Sequence, residues 1–216
     1  MSFHDQIVES LDEIVDMIRL VEAAVAQVTE ALISADVSLA ETVIAQDDAI
    51  DDVYRRLEGR IHEMFARQAP VAGDLRALMS IVRIIGDLER SGDLALNIAK
   101  TVARIAPTRL PGDLCDVVVG MGGQARLLLE SAAHAVRDLE PETAERLDLM
   151  DDALDDLCRT MVERLAARPD GIDVRTAMDL ALVTRHYERI GDHAVSVAER
   201  VEFLVTGTAH ESHVGL

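Results

Sequence analysis

Apolar residues recur at three- and four-residue spacing along almost the whole chain. Ile7, Leu11, Ile14, Ile18, Val21, Val25, Val28 and Leu32 form the first stripe and predict a helix over 5–34. Ser38 and Glu41 have the spacing of a capping box and open a second helix. Its stripe runs Val43, Asp47, Ile50, Tyr54, Leu57, Ile61, Met64. Pro70 and Gly73 interrupt the pattern, and Asp74 is placed to cap a third helix that continues to about Ile105. Pro107, Pro111 and Gly112 make the clearest linker. A fourth helix follows over about 113–139, and Pro141 suits the first position of a fifth. That helix carries Leu147, Asp151, Leu154, Cys158, Met161 and Leu165 and ends at Pro169-Asp170-Gly171. The sixth runs from about Asp173 to Thr206 and stops at Gly207.

The halves repeat each other. Asp47-Asp48-Ala49-Ile50-Asp51-Asp52 returns 104 residues later as Asp151-Asp152-Ala153-Leu154-Asp155-Asp156. Glu89-Arg90-Ser91-Gly92-Asp93 returns 99 residues later as Glu188-Arg189-Ile190-Gly191-Asp192. Near-equal offsets imply one duplicated three-helix unit. The expected fold is all-α, two pseudo-symmetric three-helix bundles built from six long antiparallel helices. The units span 1–106 and 113–207, with a linker at 107–112 and a frayed tail at 208–216.

Composition narrows the function. Hydrophobic residues make up 49 % and aromatics only 2 % of 216 residues, which favours a helix bundle with close backbones over a sandwich. Forty acidic against 21 basic residues give a net charge of −19, which argues against nucleic acid and suits cations or basic protein surfaces. Cys115 and Cys158 lie in helical patterns and form no C-x-x-C pair, so a reduced cytoplasmic compartment is the simpler expectation. The first residues carry early charge and no apolar signal core, and no apolar run is long enough to insert in a membrane.

Glu89 and Asp93 share a helix face, as do Glu188 and Asp192. The stripe Leu75, Leu78, Val82, Ile85, Glu89, Gly92, Leu96, Ala99 puts Glu89 in line with apolar residues. Counting from the turn of each hairpin, Asp47 and Asp51 fall at the height of Glu89 and Asp93, and Asp151 and Asp155 at the height of Glu188 and Asp192. Two four-carboxylate patches should therefore form. Such hard oxygen donors suit magnesium, calcium, manganese or iron, and a patch of four can bridge more than one ion. Asn97 and its counterpart Ser196 stand one turn further on, and His193 flanks the second motif as a secondary candidate. The competing reading is a solvated acidic face paired with Arg55, Arg90, Arg159 and Arg189.

These motifs resemble the PhoU family, accessory proteins of phosphate-specific ABC transport. The resemblance rests on E-R-S-G-D-L-A-L-N-I-A at 89–99, E-R-I-G-D-H-A-V-S-V-A at 188–198, R-Q-A-P-V-A-G-D-L-R at 67–76 and V-E-F-L-V-T-G at 201–207. It implies a PhoU-like pair of bundles, no established catalytic reaction, and multinuclear iron or zinc sites, with manganese or magnesium as alternatives. The metal role would fall on Glu89, Asp93, Glu188 and Asp192, with Asp47, Asp51, Asp151 and Asp155 opposite. It further implies a homodimer that restrains phosphate uptake and the phosphate-starvation response. The partners would be the transporter, at its ATPase subunit, and a sensor histidine kinase. Two departures from the family pattern stand out: Ser91 replaces Ile, and Ser196 replaces Asn, which questions the equivalence of the two sites.

The alternative from another class is a carboxylate-bridged di-iron oxidase or iron-storage bundle. Those sites pair Glu with Glu-x-x-His, and no Glu of this chain has His at the third following position. There is also no Gly-rich phosphate cradle and no nucleophile–base arrangement.

Overall fold

The computed structural model describes residues 2–68, 70, 72–167 and 170–208. These form six helices: α1 (Phe3–Ser34), α2 (Val37–Gln68), α3 (Gly73–Ile105), α4 (Gly112–Asp138), α5 (Thr143–Ala166) and α6 (Val174–Thr206). The described residues contain no strand. Pro169, the expected end of the fifth helix, and the tail beyond Thr208 lie outside the described residues.

Helix ends depart from expectation where several capping residues compete. Ser2 and Asp5 form the capping box of α1, with Asp5 N donating to Ser2 Oγ at 3.1 Å and Ser2 N to Asp5 Oδ2 at 2.8 Å. At α2 the cap is Asp36, whose Oδ1 accepts from Leu39 N at 3.0 Å, so the Ser38–Glu41 box does not form. A carboxylate two residues earlier offers the better acceptor at a positive helix end. Asp74 sits inside the first turn of α3, which starts without a side-chain cap. Pro141 stands two residues ahead of α5. Asp173 caps α6 by accepting from Thr176 N at 2.7 Å, and Gly207 ends that helix in the left-handed region at φ 76°.

Helix pairing explains why so few aromatics suffice. α1 packs on α3, α3 on α6, α6 on α4 and α4 on α1, closing a ring of four. α2 lies outside against α1 and α3, and α5 against α4 and α6. Each half is thus a three-helix unit, and one continuous Val/Leu/Ile/Ala/Met core runs through both. Burying each of these larger side chains contributes about 1.5–3 kcal/mol. Small residues set the approach of the helices. A Cβ on Gly122 of α4 would fall 2.6 Å from Thr29 Cγ2 of α1. Thr29 Oγ1 in turn lies 2.7 Å from the hydroxyl of Tyr187, a fully buried residue of α6. Three helices from both halves are fastened there.

Among the described residues, no helix is long and apolar enough to cross a membrane.

Candidate metal centre

The first acidic patch lies where α2 meets α3. Asp47, Asp51 and Glu89 are half-buried and Asp93 is exposed. The core stripe of α3 runs through Leu78, Ile81, Ile84, Leu88, Ala95 and Ile98, so Glu89 sits at its margin rather than facing the interior. The Asp47 carboxyl is raised above its ordinary range, first by desolvation and then by Asp51 and Asp93, with Lys100 opposing. Glu89 is raised by desolvation, then by Asp93 and Asp51. The carboxylates of α2 and α3 therefore lie near enough to act on one another across the helix pair. The helices come close because Gly92 has no side chain: a Cβ there would meet Ile50 Cδ1 at 2.9 Å. Asp47 also lines an apolar cleft of about 230 Å³ with Leu20, Val43, Ile50 and Leu96.

The second patch joins α5 and α6 and is tighter. Asp151 leans over Gly191, so that a Cβ on Gly191 would collide with Asp151 Oδ1 and stand 2.6 Å from Leu154 Cδ2. Asp151 Oδ1 is buried without a hydrogen-bond partner. Desolvation, followed by Asp155 and Asp192, pushes this carboxyl up to about 7. Asp155 and Asp192 reach solvent at their edges. Both are nonetheless raised, first by desolvation; Glu188 adds to each, while Arg185 opposes. Arg185 is also ion-paired with Glu188.

The remaining candidates separate. Asn97 is exposed on α3, and Ser196 is half-buried on α6. His193 turns away from the second patch toward α3, with Nδ1 3.7 Å from Asp87 Oδ1, while its Nε2 is buried and unpartnered. Desolvation holds this imidazole below its ordinary value, against the pull of Asp87. Cys158, in the slot corresponding to Tyr54, is core: Sγ lies 3.8 Å from Met121 Sδ and 3.7 Å from the Thr184 carbonyl. Burial pushes its thiol up to about 12, which keeps it protonated beside the acids. Two participants went unnoticed in the sequence, Asp87 and Arg185. Arg185 carried a signal, since it stands three residues before Glu188 on the same face. Of the arginines expected to neutralise the patches, Arg55 reaches Asp51 Oδ2 at 3.6 Å, whereas Arg90 pairs with Asp87 and Arg159 with Asp156.

The donor chemistry fits a hard cation. Each patch gathers four carboxylates that repel one another, and the second holds a buried oxygen with nothing to bond. Among the described residues, however, no three His, Cys, Asp or Glu side chains are already drawn to coordinating geometry. A cation would have to draw these side chains together, and Asp93, Asp155 and Asp192 are the exposed ones among them.

Comparison with known proteins bears on the whole chain. The model of the PhoU domain family matches twice, at residues 14–102 and 118–201. The phosphate-specific transport system accessory protein PhoU homolog 2 of Mycobacterium tuberculosis is 39% identical over 207 residues, 95% of this chain and 97% of its own. PhoU homolog 1 of Mycobacterium leprae is 37% identical over 211 residues, 97% and 95% of the two chains. Among solved structures, PhoU from Pseudomonas aeruginosa superposes with a TM-score of 0.86 at 29% identity, covering 96% of this chain and 100% of that one. The phosphate transport system regulatory protein PhoU from Streptococcus pneumoniae shares the fold, with a TM-score of 0.87 at 24% identity over 97% of this chain and 100% of its own.

Proposed function

This chain belongs to the PhoU family, and on that premise we propose that it is an accessory regulator of phosphate transport rather than an enzyme. It restrains phosphate uptake and the phosphate-starvation response from the cytoplasm, by contact with the phosphate ABC transporter at its ATPase subunit and with a sensor histidine kinase. It works as a homodimer. The two acidic patches hold multinuclear metal, iron or zinc first and manganese or magnesium second, which fixes the hairpins α2–α3 and α5–α6 for docking. Asp47, Asp51, Glu89 and Asp93 would hold one cluster, and Asp151, Asp155, Glu188 and Asp192 the other.

The observation that carries the metal assignment is the pairing of both acidic motifs, twice, across a glycine-spaced helix contact. The regulatory assignment draws support from relatives named as transport-system accessory proteins over nearly their full length. The net charge of −19 favours basic surfaces on those partners.

Elemental analysis of protein purified without chelator tests this, beside the variant carrying Glu89→Ala, Asp93→Ala, Glu188→Ala and Asp192→Ala. Several iron or zinc ions per chain, lost in the variant together with capture of the transporter ATPase subunit, is the expected result. Metal-free wild type that still captures the subunit would remove the clusters from the account and leave the patches as a docking surface.

A further inference from the structure

A second charged feature lies between the first turns of α3 and the last turns of α6. Ala72, Leu75, Arg76, Met79, Ser80, Arg83, Arg200 and Phe203 enclose a pocket of about 310 Å³. Three arginines line it without a carboxylate in the wall, in a chain with nearly twice as many acids as bases. Among the described residues none of the three is in an ion pair. Arg76 spends its Nε on the Leu204 carbonyl at 3.0 Å, and the Nε of half-buried Arg200 has no partner. Glu199 and Glu202, on the same helix, are themselves engaged and do not line the pocket.

Ser80 is the second, independent observation. It is 1% exposed, yet its Oγ bonds to nothing. Buried hydroxyls elsewhere in these helices are satisfied by the carbonyl four residues earlier: Ser10 by Gln6, Ser91 by Asp87, Thr101 by Asn97 and Thr184 by Leu180. Ser80 forgoes that bond and lies among the three arginines. A buried hydroxyl without a partner is costly, a cost that a bound acceptor would recover.

The duplication says what kind of acceptor. At the 99-residue offset Ser80 corresponds to Asp179, Arg76 to Arg175, Arg200 to Thr101 and Phe203 to Arg104. At the matching end of the α3–α6 seam, Asp179 Oδ1 accepts from Arg104 Nε at 3.3 Å and Nη2 at 2.9 Å. That end neutralises its arginines from within, since Asp173 and Asp179 both line the pocket beside Arg104 and Arg175. The Ser80 end has one more arginine and no acid. We propose that the Arg76–Ser80–Arg83–Arg200 pocket binds a phosphoryl group, whose oxygens take the place that Asp179 fills in the other half. Three guanidiniums and a hydroxyl match a dianion with several acceptors better than a single carboxylate. Leu75, Met79 and Phe203 beside them leave room for a short apolar ester. The site stands independently of the metal clusters.

The test is titration calorimetry of the full chain with inorganic phosphate, glycerol 3-phosphate and propionate, at constant ionic strength and with EDTA present. Chelation keeps cations on the acidic patches from recruiting phosphate. Saturable binding of phosphate is expected, weakened about 10- to 100-fold by Arg83→Ala or Arg200→Ala, each of which removes a charged hydrogen bond. Ser80→Asp should abolish it by supplying the internal carboxylate, and Ser80→Ala should weaken it several-fold. Arg175→Ala, at the neutralised end, should leave it unchanged. Equal affinity for both phosphates identifies the free anion; tighter binding of the ester identifies an esterified ligand held by Phe203 and Met79. No binding at millimolar phosphate overturns the proposal. So does affinity indifferent to both arginine variants, or propionate binding as tightly as phosphate. Arg83 is exposed, so its variant keeps the fold, which a thermal melt verifies.

Discussion

The two acidic patches descend from one motif, and the protein treats them differently. At the first, the contact between α2 and α3 is filled by Ile50 against Gly92, and the carboxylates flank that contact at the edge of solvent. At the second, the carboxylate of Asp151 itself occupies the space over Gly191, beside Leu154 and Leu128. Moving one acid from the rim into the contact changes its chemistry: Asp151 titrates near neutrality and keeps an unbonded oxygen. The second patch also has Arg185, where the first has Gly86. Duplication preserved the four carboxylates, while burial made Asp151 the weaker acid, holding its proton up to near neutrality.

The largest effect should come from closing the space over Gly191. A valine there must displace both Asp151 and Leu154, and overpacking of this kind costs about 1–3 kcal/mol. Gly92→Ala should be nearly neutral, because Ile50 yields at its flexible end and alanine is favoured in helices by about 1 kcal/mol over glycine. Urea unfolding of the two variants in EDTA checks the contrast. Equal losses would mean that the patches are packed alike.

Titration of Asp151 should give the next largest effect. Its folded carboxyl lies near 7, above the ordinary 3.8, so between those values the folded state binds the extra proton. Stability therefore falls as pH rises from about 4 to about 7 and levels above that. Allowing for the part of the group that solvent screens, the contribution is about 1–2 kcal/mol. Asp151→Asn should flatten this dependence and raise stability at pH 8 in metal-free protein, whereas Asp47→Asn should change much less. The midpoints of urea unfolding at pH 5 and pH 8 measure it, and an unchanged slope in Asp151→Asn would rule it out.

The chain announces its fold because its apolar stripes are long and its breaks are proline and glycine, as at Pro107–Gly112 and Gly207. The matched heights of the carboxylates followed from counting along two hairpins, since rise per residue is fixed. Other features depend on rotation about the helix axis by a few tens of degrees, which spacing does not resolve. Glu89 falls at the core margin and His193 faces Asp87 for this reason. Caps failed where rivals stood within two residues, as with Asp36 and Ser38. The arginine pocket was invisible because Arg76 and Arg83 lie about 120 residues from Arg200 and Phe203, and the seam of α3 on α6 alone brings them together.

The smallest effect concerns Arg185. Its guanidinium pairs with Glu188 and also steadies Asp155 and Asp192, so it stands where a cation would act on the second patch. The pair is half-exposed, and such pairs contribute about 0.2–1 kcal/mol. Arg185→Ala should therefore cost little stability, yet it removes a competitor and frees Glu188 to coordinate. Metal affinity of the second patch should rise by up to about fivefold, the factor that 1 kcal/mol allows, while that of the first stays fixed. Two-site metal titration of Arg185→Ala against wild type reads this directly. Weaker binding at the second patch would show that Arg185 organises the carboxylates instead of occupying them, and the difference between the copies would then rest on Asp151 alone.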